Sequence, residues 1–237
     1  MKELTMTNQR SAHTSRLRSQ DAIRTVCAAM ILTVGIASTQ YAAAGGQNYE
    51  PLSASVRASL YKTVSDTAAP GFAFASEAEG QIWLGEMSKR LQKRMPNEDQ
   101  RRDFLRTVYY EATRAGLEPE LVLGLIQVES GFKKYALSSV SARGYMQIMP
   151  FWVKLIGTSD QNLFHLRTNL RYGCTILRHY LDIEKGDLYR ALGRYNGSLG
   201  QPQYPNMVVG AWRANWTIKK TSTPSKTVQN TSAQHPG

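Results

Sequence analysis

Leu117 to Pro150 runs LEPELVLGLIQVESGFKKYALSSVSARGYMQIMP: an apolar helical segment, a loop of small residues, and the start of a second helix. Pro119 suits the first helical position and Gly131 the residue just past the end. Between them Leu121, Val122, Leu125, Ile126 and Val128 recur at spacings of three and four, and Glu129 continues that stripe. A carboxyl there is predicted to be partly desolvated and close to the negative end of the helix dipole, and both effects disfavour the anion. From a reference near ~4.3, a pKa of roughly 6 is expected, which suits a general acid. On this stretch alone, a solvated Glu at a fraying helix end is an equally good account.

Three motifs follow one another in order: ESGF at Glu129–Phe132, SSVSARGYMQIMP at Ser138–Pro150 and ALGRYNG at Ala191–Gly197. Together they resemble the lytic transglycosylase SLT domain, among the goose-type-lysozyme-like muramidases. The resemblance covers roughly residues 117–216, and the offsets from Glu129 to Ser138 and on to Gln147, nine and eighteen residues, fit it. It implies an all-α, lysozyme-like domain with Glu129 as the catalytic residue. By the same resemblance Ser138 would hydrogen-bond near the acid or the sugar, Gln147 would contact substrate and Met149 would line the groove. Tyr195 and Asn196 would line the active site, Tyr195 assisting the acid, and Tyr204 would be a further groove residue. Without it, Met146, Met149 and Tyr195 read as core. Gly197-Ser198 departs from the Ala-Gly common in relatives, and Arg143 and Tyr145 also differ.

Around this core the chain divides by composition. Lys2, Arg10, Arg16, Arg18 and Arg24 precede an uncharged run from Thr25 to Tyr41, so residues 1–44 are expected to be a signal peptide cut after Ala44, with an uncleaved anchor as the alternative. Val26–Ile36 is short for a span, which needs about 20 apolar residues. Residues 45–75 read as a linker or N-terminal arm, with a short helix around 52–64. Trp83, Met87 and Leu91 fall four apart, and Phe104, Leu105, Val108, Tyr109 and Ala112 share a face, so residues 76–116 are expected to form a helical hairpin packed on a catalytic domain at 117–218. Asn97 with Gln100 resembles a capping box. Short helices are expected over 151–156 and 188–195, a longer one over 164–185, and a last one over 207–216, with 201–205 irregular. Gly173, inside the long helix, implies close packing by a neighbour. Residues 219–237 lack the apolar content to order themselves.

The net charge is +11, of which +3 lies in the leader, leaving +8 on the remainder, an excess suited to an anionic partner. The basic residues are scattered rather than gathered into an aromatic-interleaved stripe, which argues against nucleic acid. With Cys27 in the leader, Cys174 is left without a disulfide partner and reads as a buried small hydrophobe. His165 and His179 share no metal-ligand spacing, so no metal or cofactor is expected. Ser130 to Ser159 contains no Asp or Glu, and a glycosidase with two carboxylates lacks its second.

The resemblance supplies a one-acid route. Glu129 would protonate the oxygen between N-acetylmuramic acid (MurNAc) and N-acetylglucosamine (GlcNAc), the 2-acetamido group would stabilise the anomeric carbon, and the carboxylate would then take the proton of the 6-hydroxyl as it attacks C1. The product is a 1,6-anhydro sugar. Peptidoglycan glycan strands are thus the expected partner, met by an exported monomer in the periplasm. Attachment to an envelope-spanning secretion or pilus complex stays open. So do a hydrolase of the goose-lysozyme kind and an inactive wall-binding or assembly module.

Overall fold

The structure, a computed structural model, describes residues 46–66, 74 and 76–218; the expectations for a signal peptide and a C-terminal tail fall outside the described residues. In chain order the helices are α1 (Ala54–Ser65), α2 (Glu77–Leu91), α3 (Glu98–Arg114), α4 (Pro119–Glu129), α5 (Phe151–Ile156), α6 (Leu166–Ile183), α7 (Leu188–Asn196) and α8 (Gln203–Ala211), followed by a π-helical turn, Trp212–Trp216. Among the described residues there is no strand, only isolated pairings of Arg143 with Leu137 and Ile148. The all-α expectation holds. No described helix is long and apolar enough to cross a membrane.

Helix α4 lies at the centre. With 11 residues it is shorter than the ~12–15 at which an isolated helix is even marginal in water, so packing must hold it. Leu121 through Ile126 are all buried, and each large apolar side chain contributes about 1.5–3 kcal/mol. α3 packs on one side, and α8 with the π-turn on the other. α6 and α7 form a second hairpin, α6 against α3 and α7 against α8. Pro119 occupies the first turn, and Gly131 follows the C-terminus at φ +57°, as its spacing predicts.

Several local expectations hold for identifiable reasons. Asn97 caps α3 by accepting from Gln100 N–H at 2.9 Å. Gly173 is packed so closely that a Cβ there would lie 2.3 Å from Met146 Sδ, and Met146 is wholly buried. Cys174 is buried beside it. Burial pushes its thiol well up, so it is an inert hydrophobe.

Two stretches show more than the sequence reading gave, the first with its short helix where expected. α1, in the segment read as linker or arm, packs on α5 and α6 through Leu60 and Val64, and Arg114 of α3 holds its C-terminus through Thr63 O at 2.6 Å and Asp66 at 3.1 Å. Residues 203–205, read as irregular because of their prolines, already belong to α8. Pro202 precedes the helix and Pro205 sits in its first turn, where a missing N–H breaks no intrahelical bond. Helical placement of Tyr204 fixes its direction.

Candidate active site

Glu129 ends α4, and past it the backbone turns sharply. Ser130 Oγ donates to Ile126 O at 3.2 Å, and both Gly131 and Phe132 take left-handed angles, φ +57° and +69°. For Phe132 that conformation costs on the order of 1–3 kcal/mol. Its ring offsets the cost, buried edge-on between Phe104 and Trp216. The turn leaves the Glu129 carboxyl desolvated at the mouth of the core. Burial raises its pKa from 4.5 to about 8, and a hydrogen bond donated by Tyr204 to Oε1 partly opposes the rise. The direction agrees with the sequence reading and the size exceeds it.

Tyr195 and Tyr204 take different places. Tyr204, in the first turn of α8, is the phenol that touches the acid. Tyr195, 1% exposed at the end of α7, donates instead to Met146 O at 2.8 Å. Burial and the nearby Glu129 charge push both phenols well above their usual range, so both stay neutral donors. Of the two phenols it is Tyr204 that bonds Glu129, because α8 packs along α4.

The loop between α4 and α5 is held by its own polar groups. Ser138 Oγ accepts from Ala142 N–H at 3.0 Å and closes a tight turn, so its hydroxyl oxygen bonds within the loop rather than to the acid. Gln147, at φ +50° and 6% exposed, donates from Nε2 to Gly144 O at 2.9 Å and Ala136 O at 3.2 Å; its side chain braces the loop. Met149 is half-buried at the loop's end, and Asn196 is buried, donating to Ser198 Oγ at 3.0 Å.

Two more residues bond the backbone of this loop, and the sequence reading gave neither of them that contact. Asn169, on α6, accepts from Met146 N–H and donates to Arg143 O and Leu163 O, each at 2.8 Å, clamping the loop from below. Asn169 stands four before Gly173, and that local spacing does not reveal its partners. Gln47 is 5% exposed, accepts from Met149 N–H at 3.2 Å and donates to Gln147 O at 3.4 Å. No periodicity marks it; the only trace is Gly197, whose open space its neighbour Gly46 fills.

Several other carboxylates are engaged elsewhere. Glu111 is wholly buried among Arg114, Arg167 and Arg171, and Glu120 accepts from Trp83 Nε1 at 2.7 Å. Asp182 pairs with Arg178, Glu184 with Arg190 and Arg194, and Glu50 with Arg194. Asp187 caps α7, and Asp160 is exposed. Among the described residues no group of three or more His, Cys, Asp or Glu could hold a metal ion.

Against this geometry, residues 107–207 match the family described as Transglycosylase SLT domain. Over those residues the chain is similar to transglycosylase SLT domains. The SLT match begins inside α3 and ends inside α8, so it takes in Glu129, both tyrosines and the whole intervening loop. A transglycosylase of Enterobacteria phage PRD1 is 33% identical over 124 residues, 52% of this chain and 41% of the phage protein. The membrane-bound lytic murein transglycosylase C of Actinobacillus pleuropneumoniae serotype 5b is 47% identical over 49 residues, 21% of this chain and 13% of that protein. Its namesake in Mannheimia succiniciproducens is 35% identical over 66 residues, 28% of this chain and 17% of that protein. The chain thus spans well under half the length of these relatives.

Proposed function

We propose that this chain is a lytic transglycosylase of the cell envelope that cleaves the MurNAc-β-1,4-GlcNAc bond of peptidoglycan with Glu129 as its single acid and base. The observation that carries the proposal is one desolvated carboxyl, raised to about 8 and bonded by a neutral phenol, while Glu111, Glu120, Asp182, Glu184 and Asp187 are tied to arginines, a tryptophan or a helix cap.

At neutral pH Glu129 holds its proton. Tyr204 donates to Oε1, which directs the acid proton to Oε2. That proton goes to the bridging oxygen as its bond to C1 breaks, and GlcNAc leaves as an alcohol. The carboxylate so formed keeps the Tyr204 hydrogen bond, strongest when the acceptor is charged. It then takes the proton of the MurNAc 6-hydroxyl as that oxygen bonds to C1, which restores the acid and closes the 1,6-anhydro ring. Water enters at no step. A hydrolase needs a second carboxylate to position water; the shift at Glu129 comes from burial and Tyr204, with no neighbouring carboxylate among its causes, which supports the one-acid route.

Product masses test this. Isolated sacculi digested with the protein are expected to release muropeptides lighter by one water than those carrying reducing ends. Release of reducing ends alone would replace the transglycosylase reading with a hydrolase.

Tyr204→Phe is expected to slow release by about 10- to 100-fold, the worth of a hydrogen bond to a charged group. Tyr204 stabilises the anion and lowers the Glu129 pKa, so its loss moves the alkaline limb of the pH–rate profile upward. An unchanged limb would remove Tyr204 from the chemistry.

A further inference from the structure

The segment 46–50 lies outside the family match and touches the loop and the α7 end that flank Glu129. Gly46 packs against the Met149 side chain, since a Cβ there would come within 3.5 Å of Sδ. The Gln47 carboxamide joins Met149 N–H and Gln147 C=O, and it also lies against the Tyr195 hydroxyl. Across the site, a Cβ on Gly197 would stand 2.3 Å from Gly46 O, and Gly197 itself is at φ +75°. Both the angle and the clearance demand glycine there, which gives the departure from the common Ala a structural reason. Glu50 completes the crossing with an ion pair to Arg194 at 2.9 Å.

Resting on the reading of this groove as the glycan site, we propose that residues 46–50 are an intramolecular strap, with Gln47 as its plug, which a glycan strand displaces on binding. The chemistry of the contact supports a plug. A carboxamide presents one C=O and one N–H to Met149 N–H and Gln147 C=O, and the 2-acetamido group on every sugar of the strand presents the same pair. Gln47 and an acetamide therefore compete for one pair of backbone groups. The strength of the hold supports displacement over a permanent wall. The two backbone hydrogen bonds are neutral and long, 3.2 and 3.4 Å, the contact with the Tyr195 hydroxyl is neutral as well, and the ion pair is half exposed on the Glu50 side, a kind that adds little. A cover this weak lowers apparent affinity by the fraction of time it is closed.

The test uses the full chain. Gln47→Ala is expected to lower KM for sacculi by roughly tenfold with kcat little changed, and Glu50→Ala to lower it less. Binding without turnover is read by titrating a GlcNAc tetrasaccharide into Glu129→Gln and into Glu129→Gln with Gln47→Ala; the double variant is expected to bind about tenfold more tightly. Equal or weaker binding, or a Gln47→Ala enzyme with lower kcat at unchanged KM, overturns the strap and makes Gln47 part of a fixed wall. Failure of the underlying reading looks different: Glu129→Gln would then release as much muropeptide as wild type whatever stands at position 47.

Discussion

Glu129→Gln should lower muropeptide release from sacculi by at least about a thousandfold, because in the proposed route one group supplies both the acid and the base step, each typically worth 10²–10⁴. The amide is isosteric and can still accept from Tyr204, so the loss is chemical rather than structural. Stability should move the other way, and its pH dependence gives a second check. The folded carboxyl holds its proton up to about pH 8 against 4.5 in the unfolded chain, so wild type loses stability as pH climbs through that window. Glutamine does not titrate. Relative to wild type, Glu129→Gln should gain in thermal midpoint between pH 4.5 and pH 8 and show no such trend below it. A variant that is inactive but shows no pH-dependent gain would mean that Glu129 is not desolvated in solution.

Glu111→Leu should have the largest effect on stability, about 3–5 kcal/mol, read from urea midpoints at constant m. The carboxylate is wholly buried and makes paired contacts with Arg171, at 2.8 and 3.1 Å, with Arg167 and Arg114 beside it. Arg171 is only 6% exposed in its side chain, so removing its partner strands a guanidinium in the junction between α3 and α6. For a domain of this size the thermal midpoint should fall on the order of 10 °C. Replacing Arg171 by Met in the same background should recover most of the loss, since the penalty belongs to the unpaired charge and not to the missing pair. If the single variant stays near wild type, the arginines are reaching water and the cluster is not a structural centre.

The cluster also marks a limit of sequence reading. Glu111 falls on the apolar face of α3, three after Val108 and seven after Phe104, but its partners on α6 lie 56 and 60 residues away in the chain, so no periodicity connects them. Gln47 is further removed still, 100 residues from Gln147, and Tyr204 lies 75 from Glu129. By contrast, the bounds of α4 and α5 and the close packing at Gly173 were legible because each follows from local rules: proline at a first turn, glycine past a last one, apolar residues at helical spacing, a glycine where a neighbour presses in. The polar assignments inside the loop were less legible. Ser138 and Gln147 are residues that could face a sugar equally well, and only the fold shows their hydrogen bonds turned onto the loop's own backbone.

By itself, then, the order of residues determined an all-helical chain, a central apolar helix and an acid at its end, since hydrophobic period and end signals act over one or two turns. The packing of helices decided the rest: which tyrosine meets the acid, how far burial raises its pKa, and that a segment from outside the matched residues packs on the loop that follows the acid. Those outcomes depend on distances between residues far apart in the chain, and such distances exist only once the core has closed.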